Sequence, residues 1–403
     1  MMVIKTPSST GPDGVVLVDK PAGWTSHDAV ARLRRALNTR KVGHAGTLDP
    51  MATGLLIMGV GRGTRLLGYL VGLDKTYRAT IRLGQATTTD DAEGELVFAA
   101  PPGLVASLGI AALTEAVTAL TGQINQVPSA VSAIKVDGQR AYARVRAGQT
   151  VELAARPVTV HHFEVLGRQL VALPGGAVLD LAVEVTVSSG TYVRALARDL
   201  GQALGCGGHL TALRRLTVGP FGVDQAQALP VARSAVQPST AEPAETASPR
   251  QPVQVRPLTS PDIGSGGAGL DQTQPSAVPP SPAPVAATDL YSPPELLSLA
   301  PTTHGDPQLP PELVSPVGVA STDPHPPPEL LSLAQVAQSL FAVRPLTAAE
   351  ATELAHGRFI AANPTWVGSK LKPVAGIGPD GQLVALLAQV KGQTRPLAVF
   401  TPA

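Results

Sequence analysis

The stretch GHAGTLDPMATG, Gly43 to Gly54, carries one carboxylate, Asp49, among small residues. No second acid, serine or cysteine accompanies it. Paired-carboxylate, serine-nucleophile and thiol chemistry are therefore not written in this stretch. A lone carboxylate can still take a proton as a base or attack carbon as a nucleophile. The competing structural role is local, because Asp-Pro pairs initiate turns. Gly43, Gly46 and Gly54 permit backbone conformations that other residues resist, and let a ligand approach closely.

A second glycine-rich stretch, GVGRGTR from Gly59, superficially suggests a nucleotide loop. It lacks the third spacing of G-x-G-x-x-G and the Gly-Lys-Ser/Thr ending of a phosphate loop. Cys206 is the single cysteine, which excludes an internal disulfide and any cysteine-based metal cluster. The sequence gives no ligand set for a metal and no cofactor motif.

The elements around Asp49 must position it. The 403 residues suggest two or three domains, and 44% hydrophobic content is enough for a sizeable core. No run of 18 apolar residues suggests a membrane span, and the first residues lack an apolar secretory segment. The cytoplasm is the expected compartment. The net charge of +1 hides an asymmetry. Pro238 to Pro328 holds 2 basic and 9 acidic residues, whereas the remainder holds 29 basic and 21 acidic. A basic folded part suits a polyanionic partner, although a solvated basic surface needs none.

That same segment holds 22 of the 39 prolines and almost no aromatic residues. It cannot bury enough apolar surface to offset its ordering entropy, so a disordered, partly polyproline-like insert is expected. PPELLSLA occurs within it at Pro293–Ala300 and again at Pro327–Ala334. Two copies without helical periodicity between them do not make a repeat array. The second copy could begin the next folded unit.

Before the insert, GVVLVDKP reads as a strand and turn. Ser26 is placed as the cap of a helix with an apolar stripe at Val30, Leu33 and Leu37. TYRATIRL alternates, with Tyr77, Ala79, Ile81 and Leu83 on one face. Ala111–Leu120 reads as a helix, Leu179–Val187 as a strand and Tyr192–Leu204 as a helix. After the insert, Thr347 and Glu350 form a capping box, followed by short strands around residues 373–377, 383–390 and 397–400. Strands and helices do not alternate strictly, so the class is α+β.

At Gly43–Gly54 the sequence strongly resembles the catalytic loop of bacterial tRNA pseudouridine synthases of the TruB type. VLVDKPAGWTSHDAV precedes it in the family's order. DKTYRATIRLGQATTTDDAEG, QVPSAVSAIKVDGQRAYARVRAG, SSGTYVRALARDLG and GCGGHLTALRRLTVGPF follow. These blocks cover most of residues 14–222, and LTAAEATELAHGRF is similar to the start of the family's C-terminal, PUA-like domain. The resemblance implies a mixed, mainly antiparallel sheet flanked by helices in residues 1–237. It also implies a small β-rich RNA-binding domain in 329–403, the insert at 238–328 lying between them. It implies an isomerase that converts uridine to pseudouridine in the T-arm of tRNA, at position 55, without metal or cofactor, acting as a monomer.

The family pattern also implies site roles. Asp49 is the essential carboxylate, acting on the ribose. Arg194 pairs with it and keeps it charged in a partly desolvated site. The target base must leave its stack, at a cost of a few kcal/mol. Tyr77 stacks on it and can assist proton movement, while Tyr192 and Leu213 form further pocket wall. His44 enters the RNA loop. Lys20 supports Tyr77 or the active-site loop, or contacts RNA. Asp91 occupies a family acidic position and receives no catalytic role. The arginines of RLRRALNTRK and RRL offer phosphate contacts. Where many relatives have Pro-Met-Tyr, this chain has Ser129, Ala130 and Val131, so an aromatic wall near the site is expected to be missing. The competing functions are a tRNA-binding or folding module without chemistry, and a guide-dependent synthase.

Overall fold

A computed structural model describes residues 11–129, 135–136, 139–140, 153–229 and 327–401. Residues 230–326, and with them nearly all of the Pro-rich insert and the first PPELLSLA copy, lie outside the described residues, as do Ala130 and Val131.

The strands are β1 (Gly14–Lys20), β2 (Val42–Ala45), β3 (Thr53–Val60), β4 (Lys75–Leu83), β5 (Gln85–Thr87) and β6 (Leu96–Ala99). Next come β7 (Gly122–Gln126), the short pair β8 (Lys135–Val136) and β9 (Gln139–Arg140), and the long β10 (Arg156–Leu173) and β11 (Gly176–Val187). β12 (Gly208–Val218) and β13 (Phe221–Gly222) close this part of the chain. Between them lie α1 (Ser26–Ala36), α2 (Leu67–Val71), α3 (Ile110–Ala119) and α4 (Val193–Ala203).

The main sheet runs β1-β3-β12-β4-β11-β10-β7, with β2 on β3 and β13 on β12. Every pairing is antiparallel except β3 with β12, where Thr53 and Gly54 face Arg214 and Arg215. β4 shows why an alternating sequence makes a central strand. Tyr77, Ala79, Ile81 and Leu83 are buried in the core, and the polar face is neutralised across the strand pair. There Arg78 meets Glu184 at 3.1 Å and Arg82 meets Asp180 at 2.7 Å, each directly opposite its partner.

The second part holds α5 (Leu333–Leu340), β14 (Val343–Pro345), α6 (Ala348–Ala355), β15 (Ile360–Ala361), β16 (Val374–Ile377), β17 (Leu383–Val390) and β18 (Gln393–Val399). Its five strands order β14-β16-β17-β18-β15. Thr347 and Glu350 cap α6 reciprocally. The two parts share a core: Val15, Leu17, Ile57 and Phe221 pack with Val336, Ala375, Leu386 and Phe400. The second PPELLSLA copy contributes directly. Leu331 exchanges backbone hydrogen bonds with Val15, and Ser332 caps α5. GVGRGTR proves to be a fastening: Arg62 donates to the Phe400 carbonyl at 2.7 Å and Arg65 to that of Val399.

One capping expectation is overturned. Thr25, not Ser26, caps α1, in a reciprocal box with Asp28. Ser26 is the first helical residue, buried, and its hydroxyl faces elsewhere.

Candidate active site

β2 and β3 form an antiparallel hairpin, and Gly46–Ala52 is the connection that carries Asp49. The stretch singled out for its glycines is thus strand at both ends and loop only in its middle. Two glycines have a left-handed backbone, and one of them also meets a close approach. At Gly54, φ is +99° and a Cβ would lie 2.2 Å from the Arg215 carbonyl oxygen, because β12 runs directly alongside. At Gly46, φ is +84° and the position rests on Arg215 and Lys75.

Arg194, in the first turn of α4, reaches under Asp49. Its Nε lies 2.9 Å from Asp49 Oδ2 and its Nη2 3.4 Å from Oδ1, a two-point grip. Nη1 donates to the Thr89 carbonyl at 2.8 Å and lies 3.4 Å from Asp91 Oδ2. The Arg194 side chain is 5% exposed, whereas that of Asp49 is 34% exposed. The cation is therefore buried and the anion open to a ligand. The expectation of an Asp49–Arg194 pair describes this geometry. Asp91, given no role from sequence, is buried and is the second carboxylate on the same guanidinium.

Asp49, Tyr77, Tyr192, Arg194 and Leu213 line one open cavity of about 290 Å3, together with Lys75, Arg215 and the Ser188–Thr191 turn. Tyr77 comes from β4 and Leu213 from β12, where Leu213 pairs with Ala79, two residues along β4 from Tyr77. Tyr192 stands at the N-terminus of α4, with the Arg156 guanidinium 5.5 Å from its ring centroid. A cavity of this volume, lined by two tyrosines and a carboxylate, suits a planar base attached to a sugar.

His44 and Lys20 do not line the cavity. His44 sits on β2, edge-on to the ring of His27 at 5.8 Å. Burial and then the His27 charge lower its pKa, so the imidazole is held towards the neutral form. Of the two roles open to Lys20, support of the loop or contact with RNA, the second does not suit a side chain that is 0% exposed. Its Nζ donates to the carbonyls of Trp24 at 2.7 Å, Pro21 at 3.0 Å and Pro50 at 3.3 Å. Burial lowers its pKa to about 8, against the opposing pull of Asp49. Its reach to Pro50 makes it a support for the Asp49 loop. Lys75 is likewise lowered to about 8, by burial and by Arg215. Glu93 is raised by burial and by the charges of Asp91 and Asp49.

The RRL arginines are not surface phosphate ligands. Arg214 pairs with Asp19 at 2.7 Å, and Arg215 is fully buried, donating to the carbonyls of Leu55 and Gly46. In α1, Arg32 lies 3.8 Å from the centroid of Trp24 and Arg34 donates to the Val42 carbonyl. Ser129 is buried. Among the described residues no cluster of His, Cys, Asp or Glu could hold a metal, and no helix is long and apolar enough to cross a membrane.

Residues 34–193 match the TruB family pseudouridylate synthase N-terminal domain. Residues 194–237 match the tRNA pseudouridylate synthase B C-terminal domain, and 341–401 the tRNA pseudouridine synthase II C-terminal domain. A protein named tRNA pseudouridine synthase B from Arthrobacter sp. (strain FB24) is 44% identical over 393 residues, covering 96% of this chain and 97% of that one. The chain belongs to the TruB family. A further TruB-family relative of the same name, from Thermobifida fusca (strain YX), is 64% identical over 217 residues, 54% of this chain and 73% of its own. The fold is also that of a solved structure described as an H/ACA RNP bound to a substrate RNA containing 2′-deoxyuridine. There the TM-score is 0.51 at 18% identity, covering 96% of this chain and 85% of the other. As a TruB-family member this chain is a pseudouridine synthase, an isomerase.

Proposed function

We propose that this TruB-family chain isomerises uridine to pseudouridine in the T-arm of tRNA, at position 55, with Asp49 acting on the ribose. The observation that carries the mechanism is the Asp49–Arg194 grip at the mouth of a cavity walled by Tyr77, Tyr192 and Leu213. The reaction breaks the bond from ribose C1′ to N1 and joins C1′ to C5, and the C5 proton leaves for solvent or N1. A carboxylate at the sugar serves it either by attack at C1′ or by removing a ribose proton. Both routes need an ionised oxygen near the sugar, and a permanently charged guanidinium favours that form.

The target nucleoside has to leave its stack before its ribose can meet Asp49. Stacking on Tyr77 would return roughly 1–3 kcal/mol of that cost. The basic charge outside the insert favours the phosphate backbone without reading sequence. In this reading His44, on β2 and outside the cavity lining, meets nucleotides flanking the flipped one. Residues 1–237 supply the chemistry and 329–403 further RNA contact, in a cytoplasmic monomer.

The test is to incubate the purified chain with unmodified tRNA transcript and map pseudouridine by carbodiimide-dependent primer extension. A single stop at position 55 is expected. No product at any uridine would remove the enzymatic reading, and product elsewhere would remove the site assignment.

A further inference from the structure

Asp49 stands between Leu48 and Pro50, and one short segment, Lys20–Ser26, holds the backbone of both. On one side the buried Ser26 hydroxyl accepts from the Leu48 amide at 2.9 Å and donates to the Leu48 carbonyl at 3.1 Å. On the other, the Gly23 amide donates to the Pro50 carbonyl at 2.8 Å, and Lys20 Nζ reaches the same oxygen. The helix does not need the Ser26 hydroxyl, since Thr25 and Asp28 already complete the cap of α1. A hydroxyl can donate one hydrogen bond and accept others. Here it does both towards one residue, as the edge of a neighbouring strand would. Arg194 fixes where the carboxylate of Asp49 points, but a guanidinium cannot fix the Cα from which that carboxylate hangs.

We propose that Ser26 is a positioning residue for the isomerisation: its hydroxyl sets the backbone of Leu48, and so the place of Asp49 at the cavity mouth. This rests on Asp49 being the catalytic carboxylate. Ser26 touches neither the cavity nor the carboxylate, and it acts through Leu48 alone. Its loss leaves a buried amide and a buried carbonyl without their partner, and the loop relaxes to restore them elsewhere. Displacement of a reacting group by about 1 Å costs on the order of a hundredfold in rate.

The experiment compares Ser26→Ala, Ser26→Thr and Asp49→Asn in the full chain, on unmodified tRNA transcript. Single-turnover rate, tRNA affinity by filter binding and thermal midpoint are each measured. Ser26→Ala is expected to slow the saturated rate by about tenfold or more, with affinity within about twofold and a folded protein at assay temperature. Ser26→Thr, which keeps the hydroxyl, is expected to recover most of the rate. A Ser26→Ala rate equal to wild type overturns the proposal. So does a Thr variant no better than Ala, or a loss that merely follows the folded fraction. If Ser26→Ala does not fold, Ser26→Cys replaces it, and a wild-type rate there overturns the proposal equally. An active Asp49→Asn would sink the assignment of Asp49 itself. An inactive Asp49→Asn beside an unimpaired Ser26→Ala would sink only the role of Ser26.

Discussion

Gln126, at the end of β7, holds Tyr192 by both of its backbone groups. The Tyr192 amide donates to Gln126 Oε1 at 2.9 Å, and Gln126 Nε2 donates to the Tyr192 carbonyl at 3.2 Å. The side-chain amide thus stands in for a peptide. It pins the residue that starts α4, two positions before Arg194. Gln126 is 1% exposed, so water cannot replace it. Gln126→Leu leaves the Tyr192 amide unpaired, at about 1–3 kcal/mol, whereas the Tyr192 carbonyl keeps the Leu196 amide at 3.1 Å. The thermal midpoint is expected to fall by roughly 2–12 °C. The turnover rate should fall by about tenfold, as Tyr192 and Arg194 shift together. Differential scanning calorimetry and tRNA turnover measure both, and an unchanged rate would detach Gln126 from the site.

Asp49→Asn keeps the size of the side chain and removes its charge. Turnover of tRNA is expected to be lost almost completely while filter binding retains affinity within about threefold, because an interaction made chiefly in the transition state changes rate and not binding. Normal turnover by this variant would exclude Asp49 from the chemistry.

Arg194→Lys tests the fork. A lysine offers a point charge and cannot grip both oxygens of Asp49 while reaching Asp91 and the Thr89 carbonyl. Loss of the two-point hold displaces the Asp49 carboxylate, so a fall of roughly a hundredfold in rate is expected, with a lower thermal midpoint. Retained activity would show that charge alone, without geometry, suffices.

Lys20 gives the enzyme opposite pH trends in stability and rate. Its pKa is 10.5 in a free side chain and about 8 in the fold, lowered chiefly by burial. Between these values the unfolded chain binds the extra proton, so stability rises with pH in that window. The buried charge therefore destabilises below pH 8, and the cost is relieved progressively up to about 10.5, by roughly 3 kcal/mol at most. The neutral amine, however, has only two N–H groups for three carbonyls, so the loop loosens and turnover falls as pH passes about 8. Urea unfolding of wild type and Lys20→Met from pH 7 to 10 should show the difference widening in favour of wild type. A parallel pair of curves would remove Lys20 from this linkage.

Replacement of residues 238–326 by a short flexible linker is expected to leave turnover within about twofold, because loop length contributes little to stability. The ends of the segment are already joined at their base. Gln227 Nε2 donates to the Glu329 carbonyl at 2.8 Å, and the Glu329 amide donates to Gln227 Oε1 at 2.9 Å. A large loss of rate would give the segment a part in the reaction.

Much of the fold was legible because local periodicity and burial agree. β4 and β11 alternate as written, and Thr347 with Glu350 caps α6 as the spacing demands. The cavity residues Asp49, Tyr77, Tyr192, Arg194 and Leu213 were legible through their blocks, and the fold brings four separate segments to one place. What escaped were side chains whose partners are backbone groups far along the chain. Ser26 looks like a cap by type, and nothing local says that Thr25 has already filled that role. Lys20 and Arg215 look like phosphate ligands by charge. Only the packing of β1 and β12 around the loop shows that carbonyl oxygens accept their hydrogen bonds. Gln126 carries no signal at all, since an amide at the end of a short strand is ordinarily solvent-facing. Asp91 was visible as an acid in TTTDDAEG, but its second grip on Arg194 depends on a turn that brings residues 89–91 beside α4.

The reciprocal amide bonds between Gln227 and Glu329, with the shared packing of Phe221, Val336 and Phe400, have a consequence for how this polypeptide tolerates damage. Proteolytic scission anywhere between them would leave two fragments that stay associated as a nicked but intact particle. Covalent continuity across that span is dispensable once folding is complete, and the same junction could host a foreign domain or a new pair of termini.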